Sequence, residues 1–292
     1  MTIQPTDADI SETVRTVRKP SDLLKPFDLH RTGEERILIL CEGEKTEPIY
    51  FKTFVALFGL PADRICIRCV KGLQTPLAMA KWAVGEMQYA VHLSASGTSP
   101  RPFTEVWCVF DRDLHADFST ALDFLRTVPN VHAVPSNPCF ELWLLHHFTP
   151  RRKAYLGKGE PIGKPLVKLE QTEDGNLRET VTTVYAPANP SELCFDELKK
   201  HWPEYAKTLS APMKDFKDRI CAALKADLPV SARQISASAC WTLVPHLLVR
   251  LMLLKFDLQE TASILGIPSE SIGALGVFEA EIRPKDSNGG VA

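Results

Sequence analysis

The chain has no excess of charge of either sign. Its 34 Lys and Arg residues against 36 Asp and Glu leave a net charge of -2, which excludes a globally basic nucleic-acid coat or a basic membrane-surface binder, so any contact with nucleic acid must be local. It also has no long apolar run. The most apolar stretch, residues 241–256, is interrupted by His246, Arg250 and Lys255 and falls short of the roughly 20 apolar residues of a membrane span, so it reads as a buried helix and no membrane association is expected. The opening residues 2–9 are polar and lack the basic and apolar segments of a secretory signal. Cys66 and Cys69 have C-x-x-C spacing, but no second pair completes a tetrahedral zinc site. The eight cysteines are dispersed, several within apolar runs where a thiol behaves as a small hydrophobe, which predicts reduced thiols and a cytoplasmic location. A phosphate-binding loop is missing as well. Residues 157–164 approach that pattern, yet Lys158 stands where its first glycine belongs, and Pro165 follows Lys164 where Ser or Thr would bind magnesium. An intrinsic ATPase is thereby excluded, and no internal repeat is found.

What is there is enough apolar material for a core, at 45% of residues, arranged in an alternating pattern. Residues 36–41 (RILILC) form an apolar run of strand length that stops at the turn Glu42-Gly43-Glu44. Thr46 is expected to cap a helix carrying Glu47 and Pro48 in its first turn and an apolar stripe of Tyr50, Phe51, Phe54 and Leu57. The pattern repeats with a strand over 64–70, a helix over 76–93, a Ser/Gly/Pro linker over 94–102, a strand over 105–110, a helix over 117–127, a short strand over 131–134 and an apolar helix over 140–148. Such alternation predicts an α/β parallel sheet with flanking helices. From Thr149 the composition changes. Residues 150–190 are rich in Lys, Gly, Pro and Thr, and Asp174-Gly175 separates two β-prone runs, 166–170 and 180–185, which predicts a hairpin-bearing insertion. Helices are expected over 191–207, 211–226 and 237–256. The division is therefore a loosely ordered arm (1–30), an α/β unit (31–149), an insertion (150–190), a C-terminal helical region (191–282) and a frayed tail (283–292).

The chemistry concentrates on two turns. Glu42 lies just past a buried strand and precedes Gly43, where a backbone without Cβ admits a ligand. Asp111 and Asp113 lie at i and i+2 past another strand, so an extended backbone points them the same way. In parallel sheets both turns face one crevice at the carboxyl edge. Three converging carboxylates repel one another without a cation, and hard oxygen ligands suit Mg²⁺ or Mn²⁺. Each residue also has a plainer reading. A strand-end D-x-D is often a turn former. Asn137-Pro138 can simply open the helix that buries Phe140, Leu142 and Leu145, with Glu141 a first-turn acid favoured by the helix dipole. His115 is a general acid-base candidate or an incidental loop residue, and His146 and His147 read as helix-end residues. Residues 261–272 have the spacing of a helix-turn-helix, a weak signal.

The segments CEGEKTEPIYF (41–51), FDRD (110–113) and SNPCFELW (136–143) together resemble RloB-like proteins of the TOPRIM superfamily of nucleases, primases and topoisomerases. The resemblance covers roughly residues 36–148, with a fainter echo over 196–205. It implies a TOPRIM-like catalytic domain in which Glu42 is the superfamily's glutamate, a metal ligand or general acid-base group, and Asp111 and Asp113 are its metal ligands. Glu47 is similar to the acidic residue that follows this glutamate in OLD-family nucleases, at a spacing one residue longer. The implied chemistry is Mg²⁺- or Mn²⁺-dependent phosphoryl transfer on DNA or RNA, with Lys45 and Arg112 adding positive charge near the phosphate. The implied context is abortive infection, or anti-phage defence, with a separately encoded ABC-type or OLD-like ATPase as partner. Two other readings stand beside it. One is a non-catalytic TOPRIM scaffold that binds a partner ATPase or nucleic acid. The other is a haloacid-dehalogenase-type phosphatase, disfavoured because His115 stands where that chemistry places Thr or Val.

Overall fold

The computed structural model describes residues 35–69, 72, 75–95, 102–112 and 115–148, the strand segments 158–161, 166–171, 177–182 and 185–187, and residues 190–202, 215–231 and 241–276. The arm, the tail, the Asp174-Gly175 turn, the phosphate-loop-like segment between its flanking strands and Asp113 lie outside the described residues.

Four parallel strands form the centre: β1 (Ile37–Cys41), β2 (Ile65–Cys69), β3 (Glu105–Asp111) and β4 (Val131–Asn137), in the order β2-β1-β3-β4. The crossovers are α1 (Thr46–Phe58), α2 (Pro76–Ala95) and α3 (Phe118–Thr127), and β4 runs into a short α4 (Glu141–His146). This is the α/β architecture the alternation predicts, and it is consistent with a TOPRIM-like fold. All five residues of β1 are buried, as expected for a strand covered on both faces, which reads as a continuous rather than alternating apolar run. Each such Ile or Leu contributes roughly 1.5–3 kcal/mol through burial. β2 is an edge, half-buried, and its outward Arg68 pairs with Glu86 of α2 at 2.6 Å, a charged edge that discourages pairing with another sheet.

Several boundaries differ from those read in the sequence. β4 continues three residues beyond Val134, through Pro135, whose missing N–H suggests a strand end. The strand continues because its far side meets β9 (Trp241–Thr242), antiparallel, with Ser136 opposite Thr242 and Asn137 opposite Trp241. The Ser136 and Thr242 hydroxyls lie 2.9 Å apart, and the Leu243 N–H donates to the Pro135 carbonyl at 3.1 Å. The expected helix over 237–256 is therefore shorter: α7 (Val244–Met252) starts only after this strand, with Pro245 in its first turn, where its lost donor is harmless. The helices expected over 191–207 and 211–226 are α5 (Pro190–His201) and α6 (Phe216–Ser231). In the insertion β6 (Leu166–Gln171) and β7 (Leu177–Thr182) form the expected antiparallel hairpin, the second strand three residues earlier than read, within an outer pair of β5 (Lys158–Pro161) and β8 (Tyr185–Pro187). The weak helix-turn-helix signal corresponds to α8 (Leu258–Leu265) and α9 (Ser269–Gly276), joined at Gly266 in the left-handed conformation, φ 64°. α9 carries Glu270 and no basic residue, which suits a DNA backbone poorly.

One apolar core runs from β1 and α1 through Trp143 and Leu144 of α4 to Leu198 of α5, Phe216 and Leu224 of α6, and Leu247 and Leu251 of α7. At the end of the sheet opposite the acidic turns, Arg250 of α7 is 3% exposed and donates Nε to Glu105 Oε1 at 3.0 Å, while Trp107 Nε1 donates to Glu105 Oε2 at 2.9 Å. Among the described residues no helix is long and apolar enough to cross a membrane.

Candidate active site

The strand order reverses direction at β1, which has β2 on one side and β3 on the other, so the topological switch point, where open α/β sheets place their ligands, lies at the carboxyl ends of β1 and β3. The two strands are in register from Ile37 opposite Glu105 to Cys41 opposite Val109. β3 then continues to Asp111. Glu42, the first residue past β1, donates its N–H to the Val109 carbonyl at 3.0 Å, keeping the turn against β3. Its carboxylate is fixed at both oxygens: Oε2 accepts the Asp111 N–H at 2.9 Å, and Oε1 lies 3.0 Å from His115 Nε2. The structure thus brings Glu42, Asp111 and His115 together. His115 is held by its own N–H donating to the Arg112 carbonyl at 3.2 Å, and the Arg112 N–H in turn donates to Ser136 of β4 at 2.8 Å.

Glu47 lies beneath the Glu42 turn, in the first turn of α1. It is 7% exposed, and its Oε1 accepts the Gly43 N–H at 3.2 Å. A Cβ at Gly43 would lie 2.2 Å from Glu47 Oε2. The carboxylate beneath it therefore occupies the space a side chain at position 43 would take. The expected Thr46 cap is also absent: Lys45 holds the N-cap position, with no side-chain cap bond. Glu47 turns back to the preceding turn instead, tying the Glu42 loop to α1. Burial pushes its carboxyl up to about 7 from 4.5; the hydrogen bonds from the Glu47 and Gly43 backbones oppose this, while Glu141 and Glu42 add to it.

Glu141 begins α4 directly after the Asn137-Pro138-Cys139-Phe140 turn, and Asn137 ends β4 beside Asp111's strand. Lys45 follows the Glu42 turn and Arg112 follows Asp111, and both are exposed. Asp111, Cys139 and Glu141 line a cleft of about 430 Å³ whose other wall is Ser191, Glu192, Phe195 and Asp196 of α5. The Cys139 thiol is pushed up first by its hydrogen bond to Cys194 of α5, then by burial and by the negative charges of Asp111 and Glu141. The α5 wall escaped the motif reading, and its only trace in the sequence is the faint echo that starts at Asp196.

The donor set is oxygen-rich, and after burial and local hydrogen bonding its negative charge adds to the raised proton affinity of the neighbouring Glu47 and Cys139, a charge that a hard divalent cation would neutralise. The residues present fit Mg²⁺ or Mn²⁺. Among the described residues, however, no three His, Cys, Asp or Glu groups close on a single point, and Asp113 lies outside them. His146 and His147 are not at the site: both are buried, and His147 Nδ1 lies 2.8 Å from the Trp143 carbonyl while its Nε2 faces Tyr50 Oη at 3.2 Å.

No curated protein and no solved structure matches the chain. A sequence model of the RloB-like protein family matches residues 37–226, from the first residue of β1 into α6, and so takes in both turns, the insertion and the α5 wall. By this match, which spans more than half its length, the chain belongs to the RloB-like protein family.

Proposed function

We propose that the protein is a metal-dependent nuclease that hydrolyses phosphodiester bonds of DNA or RNA, with Mg²⁺ or Mn²⁺ held by Glu42 and Asp111 together with Asp113. The observation that carries this reading is the meeting of Glu42 and Asp111 at the switch point of the sheet, with the Glu42 carboxylate fixed between the Asp111 N–H and the His115 imidazole. When bound, the cation would supply Lewis-acid charge to the phosphate and acidify a water. The protein's own groups do the rest. His115 orients Glu42, whose remaining lone pairs would hold the cation or accept a proton from the attacking water. Asp111 and Glu141 border the same cleft, and the exposed Lys45 and Arg112 offer positive charge to flanking phosphates. The resemblance that names the family adds a biological setting: an effector of bacterial anti-phage defence, paired with a separate ABC-type or OLD-like ATPase that supplies the nucleotide-driven step this chain has no loop to perform.

The test is cleavage of mixed DNA and RNA substrates with Mg²⁺ or Mn²⁺, with and without a neighbouring ATPase. Glu42→Gln, Asp111→Asn and Asp113→Asn are expected to lower activity at least about 10²-fold, the scale of lost acid-base or electrostatic assistance, while keeping the fold. A second reading is favoured by the Glu42 carboxylate, both of whose oxygens already have partners within the protein: a scaffold that binds a partner or nucleic acid without cutting. Full biological protection by all three variants would establish that reading instead.

A further inference from the structure

One wall of the cleft is not used by the proposed metal chemistry. α5 packs on the core through Cys194 and Leu198, both fully buried, and is followed at once by the buried Trp202. This i, i+4, i+8 stripe leaves the next residue, Phe195, turned off the buried face. Phe195 is 37% exposed and, with Tyr89, is one of the two exposed large hydrophobic side chains among the described residues. It is also one that lines the cleft, across from Asp111 and Glu141. Lys199, one helical turn on, holds its ammonium 4.0 Å from the ring centroid, so the ring carries a cation over one face, and the Asp196 carboxylate lies 3.9 Å from that ammonium.

The other lining groups decide what a phenyl ring can be for in such a place. Asp111, Glu141, Glu192 and Asp196 all border the cleft. A phosphodiester chain is repelled by four carboxylates except where a cation neutralises them, so the part of a substrate strand that lies against α5 must be uncharged. That part is the base. Every base has a π-face, and stacking on an aromatic side chain is tolerant of sequence. The Lys199 ammonium beside the ring adds positive character to the stacking surface. A base inside a duplex has both faces covered by its neighbours, whereas an unpaired base has a face to offer, and the cleft, at about 430 Å³, falls within the roughly 300–1,000 Å³ of small-molecule sites.

We infer that Phe195 is a stacking platform for an unpaired base of the strand whose phosphate is presented to Glu42 and Asp111, which makes a single-stranded or locally unpaired nucleic acid the substrate class. This rests on the nuclease reading above, and Phe195 is a specificity residue within it. The experiment uses the full chain with Ca²⁺ in place of Mg²⁺, a fluorescein-labelled oligothymidylate, a labelled hairpin duplex of the same length, and fluorescence anisotropy. Phe195→Ala is expected to weaken single-strand binding at least about tenfold and duplex binding by less than about twofold. Phe195→Trp is expected to bind the single strand as the wild type does, with its added indole emission quenched when unlabelled strand is titrated in. Equal single-strand binding by wild type and Phe195→Ala, with no quenching in Phe195→Trp, overturns the assignment of Phe195 and leaves the nuclease reading standing. An equal loss on duplex overturns the unpaired-base claim. Absence of binding to any oligonucleotide by the wild type overturns both readings together.

Discussion

Glu47 shows how one residue can set the shape of a turn and a pH dependence at once. Its carboxyl is buried under Gly43 and pushed up to about 7, against 4.5 for an ordinary glutamate. In the unfolded chain it ionises near 4.5, whereas in the fold it keeps its proton until about 7. The folded state therefore binds the extra proton between these values, and stability contributed by the neutral form is present below pH 4.5 and lost as pH rises through 7. The difference corresponds to about 3 kcal/mol. In chelator-containing buffer, urea denaturation of the wild type should show this fall across the window, and Glu47→Gln should remove it and be the more stable protein at pH 8. A wild-type stability that is flat across the window would show that Glu47 is already ionised in the fold. The same contact yields a second expectation. A Cβ at position 43 meets Glu47 Oε2 at 2.2 Å, so Gly43→Ala should cost about 1–3 kcal/mol, the range for overpacking a filled site. In a Glu47→Ala background the cost should shrink, because the colliding group is gone. Additive losses in that double-mutant cycle would mean the two residues do not compete for the space.

At the scale of elements, the most informative contact is between α7 and β3. Glu105 and Arg250 are buried together, with Trp107 donating to the same carboxylate. Removing one partner of such a pair leaves an uncompensated charge, so Arg250→Met should destabilise by about 3–5 kcal/mol, while Glu105→Leu combined with Arg250→Met should recover most of that loss. Denaturant midpoints of the single and double variants measure it, and a double variant as unstable as the single would show that the loss comes from packing instead. This contact also marks where sequence reading reached its limit. β1 and β3 were legible because a strand buried on both faces is an unbroken apolar run, and Glu42 and Asp111 because each ends such a run in a polar turn. β9 was not legible: Trp241–Thr242 is two residues long, carries no period, and exists only because the edge of β4 lies beside it. Nor could pattern alone show that Arg250, within the most apolar stretch of the chain, has its partner 145 positions away. The α5 wall was hidden for a related reason. Ser191, Glu192, Phe195 and Asp196 look like the solvent face of an ordinary amphipathic helix, and only the tertiary packing of Cys194 against Cys139 brings that face to the carboxylates of β3 and α4.

For the molecule as a whole, the acidic turns are a liability in the absence of a cation. The net charge is only -2, yet Glu42, Glu47, Asp111 and Glu141 gather at one end of the sheet, and negative charge there raises the proton affinity of Glu47 and Cys139. A ligand that binds the folded chain and not the unfolded one stabilises it by mass action, by about 2.7 kcal/mol at a concentration one hundred times its dissociation constant. The expected outcome is that Mn²⁺ or Mg²⁺ raises the Tm of the wild type in a concentration-dependent way, and that EDTA reverses the rise. Asp111→Asn has one carboxylate charge fewer at the site, so its metal-free form should be at least as stable as the wild type, and its response to the cations should be small. The two effects have opposite signs, which separates a metal site from general loss of structure. A variant that merely loosens the fold lowers the metal-free Tm, whereas a variant that removes a ligand keeps or raises it and flattens the titration. Should Asp111→Asn and the wild type respond to Mn²⁺ identically, the cation binds elsewhere, and the acidic turns would have to be understood through the nucleic acid or the partner that meets them.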